Sequence, residues 1–167
     1  MAITLEKLSA DIRAVLKKSA GAQGKQEVCA LVSKALLDKD FVARYVTEAE
    51  CKPRKVLYED PELGFCICGH VYTRPMNGGP HDHGSSWAIY GVAEGRTEMT
   101  DWKMVQPAAG DGPKLVAAER VYVMQPGDAH LYEVGAVHSP KTEGLTKLVR
   151  IEGANLDHIK RSNIAAA

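Results

Sequence analysis

At 167 residues the chain is long enough for one domain with a packed core and too short for two comfortable ones. Its 21 Lys and Arg are matched by 21 Asp and Glu, so the net charge is zero and no basic field exists to hold a nucleic acid or an anionic membrane. A small, roughly neutral molecule is the expected partner, and one site is expected rather than two.

The opening Met1-Ala-Ile-Thr-Leu-Glu-Lys7 lacks the basic start, apolar stretch and small-residue cleavage site of a secretory signal, and no apolar run reaches membrane-spanning length. A cytoplasmic protein is expected. Four cysteines, Cys29, Cys51, Cys66 and Cys68, are then read as free thiols.

Residues 1–50 read as helical. Leu5, Leu8, Ile12, Val15 and Leu16 recur at steps of three and four, as do Val28, Leu31, Val32, Ala35 and Leu36, with Gly21-Ala-Gln-Gly24 between them. A third, shorter helix is expected from Phe41 to about Glu48, capped by Asp40 and ended by Pro53. From residue 55 to 153 the chain changes to short runs rich in Val, Ile and Tyr, cut by turn clusters such as Pro75-Met-Asn-Gly-Gly-Pro80 and Gln125-Pro-Gly-Asp128. That spacing predicts an antiparallel barrel or sandwich. Residues 154–167 form a tail, read as a final short helix or a frayed end.

Among six histidines, His81 and His83 stand out. On a strand, residues i and i+2 share a face, so this pair can present two imidazoles to one point. A third can come from His130, which follows the turn Gln125-Pro-Gly-Asp-Ala and leads into another strand. Three imidazoles at a barrel mouth suit iron, zinc, nickel or copper and leave coordination positions for a substrate. The competing reading is a solvated His-x-His on a strand edge.

His81-x-His83 with Gly95 downstream, followed by Gly127-x-x-His130, resembles the paired motifs of the cupin superfamily. The resemblance covers residues 55–153 and implies a mainly β, cupin-type double-stranded β-helix (jelly-roll) barrel, here preceded by N-terminal α-helices. Where many cupins carry a glutamate ligand this chain has Ala88, and where an asparagine often follows the last histidine it has Val134. A three-histidine site without a carboxylate is therefore expected.

Among cupins lacking the glutamate, His81-Asp82-His83 with Ser86 and Gly95 is similar to the thiol dioxygenases of the cysteine dioxygenase type. This resemblance implies an Fe(II) centre on His81, His83 and His130 that uses O2 to oxidise a small thiol, cysteine or a mercapto acid, to a sulfinic acid. Zinc, nickel or manganese are the alternative metals. An arginine that grips the substrate's anionic end falls at Arg54, with Arg150 and Arg74 as alternatives. The cysteine that forms a cross-link in some members falls at Ala88, and in place of the family's Ser-x-His-x-Tyr strand this chain has Thr146-Lys-Leu-Val-Arg150. A non-oxidative cupin, a metal-dependent isomerase or lyase or a small-molecule binder, is the second function class.

Each secondary candidate has a plainer alternative. Arg54 follows a proline and can be an exposed ion-pairing residue; Arg150 can alternate out to solvent; His138, before Ser139-Pro140, is either a base near the metal or a turn residue facing water. Cys66, Cys68 and His70 share a face by the same period, without a fourth ligand at matching spacing. A monomer or a homodimer is expected.

Overall fold

The computed structural model describes residues 3–167. Thr4 opens the first helix: its hydroxyl accepts from the amide of Lys7 at 3.1 Å, satisfying one of the free donors of the first turn. That helix, α1 (Leu5–Lys18), packs on α2 (Ala22–Leu37), and the apolar positions at three- and four-residue steps are the ones buried: Leu8, Ile12 and Leu16 against Val28, Val32 and Leu36. Gly24, expected in the connecting turn, lies in the first turn of α2 instead. Helix α3 (Lys39–Tyr45) begins earlier than Phe41 because Asp38, not Asp40, is its cap, with Oδ1 accepting from the amides of Asp40 and Phe41. A single turn, α4 (Glu48–Cys51), then leads into the strands.

Ten strands follow: β1 (Arg54–Glu59), β2 (Cys66–Tyr72), β3 (Met76–Asn77), β4 (Ala88–Glu94), β5 (Thr97–Gln106), β6 (Lys114–Met124), β7 (Ala129–Tyr132), β8 (Val137–Thr142), β9 (Thr146–Glu152) and β10 (Ile164–Ala166). They form two five-stranded sheets in the orders β1-β2-β9-β4-β7 and β10-β6-β5-β8-β3. With the edge strands β1 and β10 set aside, the orders 2-9-4-7 and 3-8-5-6 are those of two interlocked Greek keys, the jelly-roll or double-stranded β-helix barrel. The mainly β barrel behind N-terminal helices is the architecture expected from the sequence.

The first sheet is covered by the helices on one side and faces the barrel interior on the other, and strict alternation sorts its residues. Ile67 and Val71 of β2, Ile89 of β4, and Val149 and Ile151 of β9 pack with the helices, each contributing about 1.5–3 kcal/mol by burial. Their neighbours Cys66, Cys68, His70, Tyr90, Leu148, Arg150 and Glu152 therefore turn inward, where Tyr90, Val92, Met99, Met124, Tyr132 and Leu148 form a second apolar cluster. Cross-strand register places Cys68 beside Arg150, Arg150 beside Tyr90, and Glu152 between Cys66 and Ala88.

The tail is docked rather than frayed. After a 3-10 turn at Leu156–His158 it runs to β10, which pairs in parallel with the start of β6. The four cysteines are free and buried, and no helix among the described residues is long and apolar enough to cross a membrane.

Candidate metal centre

The segment after β3 pairs with β8 at one point: the amide of His81 donates to the carbonyl of His138 at 3.1 Å, and the amide of His138 returns the bond at 3.0 Å. Residues directly opposite in an antiparallel pair project to the same face, which brings the two imidazoles together with ring centroids 4.7 Å apart. His83 follows two residues later, in a turn closed by the Ser86 amide on its own carbonyl, and its ring lies 4.8 Å from that of His138 and 5.5 Å from that of His81. The shared face expected of a strand is thus achieved by one bridge and a turn. The ligating atoms of His81, His83 and His138 all lie within 4.8 Å of one another, the one such group found among the described residues.

These residues fit a metal ion. His81 Nδ1 lies 3.0 Å from the Gly79 carbonyl, a contact in which it donates, leaving the Nε2 lone pair free for an ion. His83 Nε2 is buried with no partner. The ring of His138 is fixed by stacking on Tyr132 at 4.0 Å. Burial pushes His83 down to about 2 and His138 down to about 3, and the nearby imidazoles and Arg150 act in the same direction. His81 is lowered by burial too. All three are held neutral at physiological pH, the state in which imidazole ligates. Cys66, Cys68 and His70 share the inward face of β2, yet they assemble no ligand group of this kind.

His130, expected as the third ligand, is elsewhere. Its ring stacks on Tyr122 at 5.2 Å and lines a separate cavity of about 410 Å³ with Asp101, Trp102 and Tyr132. The residue in its place is His138, expected as a base or a turn residue. A signal for it was present: the spacing Gly127-x-x-His130 recurs as Gly135-x-x-His138, and both glycines take positive φ, +96° and +81°, at the turns leading into β7 and β8. Only β8 pairs with the His81 segment, so only the second repeat reaches the site.

Asp82, between His81 and His83, points the other way. Buried, it accepts from the amides of Gly84 at 3.0 Å and Ser162 at 3.1 Å and so ties the C-terminal tail to the metal turn. Gly84 has φ +60°, and a Cβ there would meet the Lys160 carbonyl oxygen at 2.5 Å. The tail lies tight across this turn.

A cavity of about 410 Å³ opens beside the histidines, lined by His81, His138, His70, Arg54, Arg150 and Arg161 among others. Arg150 does not alternate out to solvent: Val149 and Ile151 take the helix side of β9, which leaves Arg150 inside. There its Nε donates to Glu152 Oε1 at 2.9 Å and its Nη2 lies 2.6 Å from the same oxygen. Arg54 also lines the cavity, but Nη2 donates to Glu152 Oε2 at 3.0 Å and Nη1 to Asp157 at 2.9 Å. The expected clamp is engaged by two carboxylates. His70 and Arg161 were not singled out for the site from the sequence. His70 is buried, with Nε2 unpartnered, and Arg161 enters from the tail.

No family model matches the chain, and no curated protein does. Solved structures do resemble it. KdgF from Halomonas sp. shares 18% identity over 59% of this chain and 74% of its own, with a TM-score of 0.44. A cupin superfamily protein from Desulfitobacterium hafniense shares 10% over 59% and 72%, at 0.43. A conserved protein with a double-stranded β-helix domain from Klebsiella pneumoniae shares 16% over 74% and 88%, at 0.49. At these identities the chemistry of the site has to be read from its own residues.

Proposed function

We propose that the protein is a metal-dependent enzyme in which His81, His83 and His138 hold Fe(II) and a small thiol with an anionic end is oxidised by O2 to a sulfinic acid. The observation that carries the reading is the convergence of three neutral imidazoles, with no carboxylate among them, two of which, His81 and His138, line a cavity that also holds Arg150. Bound there, the ion would supply a deprotonated thiol and an activated O2 side by side.

The chain's own residues do the rest. Three imidazoles would supply only part of the donor set of such an ion and would leave room for exogenous groups. Glu152 holds Arg150 by Nε and Nη2, so that Nη1, which has no partner among the described residues, is available to an anionic substrate. The aromatic and aliphatic wall supplied by Tyr72, Tyr90, Met76 and Pro140 limits water around the reacting sulfur. The overall change, R–SH plus O2 to R–SO2H, places both oxygen atoms on sulfur and needs no separate reductant.

The test is elemental analysis of protein purified without added metal, then O2 uptake with cysteine, 3-mercaptopropionate and cysteamine after Fe(II) loading, with isotopically labelled O2 to trace both atoms into product. Uptake dependent on thiol and iron is expected. Zinc or nickel with no uptake on any thiol would replace this reading with non-oxidative Lewis-acid chemistry on the same three histidines.

A further inference from the structure

We infer that His70 and Arg161 build an anion subsite in the cavity beside His81 and His138, and that the C-terminal tail sets substrate choice by delivering Arg161 to it. This rests on the reading above for the identity of the substrate's other end.

Two independent observations point to a ligand. The first is His70: it is buried inside the barrel, it lines the cavity, and its Nε2 has no partner. Its Nδ1 lies 3.4 Å from the Tyr72 hydroxyl, the only group that approaches the ring in hydrogen-bonding range among the described residues. With that hydroxyl donating, Nε2 carries a proton into a cavity that offers it no acceptor, an arrangement that costs stability until an oxygen from a ligand arrives. The second is the charge count. Glu152 and Asp157 balance Arg54 and Arg150, whereas Arg161, on the same cavity, has no carboxylate within ion-pairing distance among the described residues. Asp82, which also acts on Arg161, is held by the amides of Gly84 and Ser162 and makes no ion pair with it.

Arg161 is exposed, but the backbone that carries it is fixed. The chain is fastened on both sides of it. Ser162 donates its amide to buried Asp82, Lys160 and Ile159 press on Gly84, and Lys114 donates its amide to the Asn163 carbonyl and its Nζ to the Ser162 hydroxyl before β10 pairs with β6. Asp82 lies between the ligands His81 and His83, so the tail's seat and the metal turn are one structure. A substrate with a metal-binding atom at one end and a carboxylate at the other would span from the imidazoles to His70 and Arg161, whereas an uncharged thiol or an aminothiol would gain nothing there.

The test uses the full-length protein loaded with redox-inert Zn(II) and titrated calorimetrically with 3-mercaptopropionate and with 1-propanethiol, its neutral counterpart. The wild type is expected to favour the acid. Arg161→Gln and His70→Leu should each cut the affinity for 3-mercaptopropionate about tenfold or more and leave that for propanethiol unchanged, a difference a merely structural role would not produce. If both variants bind the acid as the wild type does, the subsite is refuted. If neither thiol binds the wild type, the thiol reading fails instead, and propionate alone decides the subsite: protection against thermal unfolding that Arg161→Gln abolishes keeps it, and no protection of the wild type removes it.

Discussion

Glu152 is fully buried and, among the described residues, is the only carboxylate that meets both Arg54 and Arg150. Replacing it by glutamine keeps the volume and removes the charge, leaving Arg150, whose side chain is 11% exposed, without a carboxylate, while Arg54 keeps Asp157. Three contacts of 2.6–3.0 Å lose their charge assistance at once. Breaking a buried pair by removing one partner costs about 3–5 kcal/mol, because the remaining charge is neither solvated nor matched. For a domain of this size each 1 kcal/mol lowers Tm by about 2–4 °C, so Glu152→Gln should lower it by about 6–20 °C. Urea denaturation followed by circular dichroism measures the loss directly, and the m-value reports whether the unfolded reference has changed. The double variant Glu152→Gln/Arg150→Gln should recover part of the loss, since it removes the uncompensated cation along with its partner. A loss below about 1 kcal/mol, or a double variant less stable than the sum of the singles, would refute the claim that Glu152 is what holds Arg150 in the cavity.

His138→Ala should abolish metal retention measured by elemental analysis, as should His81→Ala and His83→Ala, while His130→Ala leaves it intact; the reverse pattern for His130 and His138 would dismantle the proposed centre. The metal-free protein should lose stability as pH falls from about 6.5 toward 3: His83 and His138 are depressed to about 2 and about 3 in the fold, so the unfolded chain takes up protons first and the penalty grows through that window. Urea midpoints that stay constant from pH 7 to pH 4 would contradict this. Gly84→Ala should cost about 1–3 kcal/mol, from the positive φ and the overlap with Lys160, and should expose the segment after Leu156 to limited proteolysis; an equally resistant tail would show that it does not rest on this turn.

The elements of this protein were legible where a local period dictates them. Steps of three and four among Leu8, Ile12, Val28 and Val32 specify helices because those positions share a face, and the short β-branched runs cut by turn clusters specify a barrel because only sheet pairing buries them. His81 and His83 were legible from their spacing of two, although a bridge and a turn rather than a strand bring them together. Arg150 was partly legible: Val149 and Ile151, flanked by Leu148 and Glu152, form an alternation whose apolar phase seeks the helices and so turns the arginine inward. The third histidine of the cluster was a choice between two equivalent Gly-x-x-His repeats, and spacing along the chain does not distinguish them. The hydrogen-bonded bridge between His81 and His138 does, and it depends on which strand of the second sheet lies beside the metal turn. Arg161 had no signal at all, since a tail without periodicity carries no information about where it docks. Its position comes from an amide bond to Asp82 and a parallel pairing with β6, contacts between residues 80 and about 50 positions apart. Local sequence determined which segments bury and which face they bury; long-range backbone pairing, whose energy no short window contains, decided which of the inward-facing groups meet at one point.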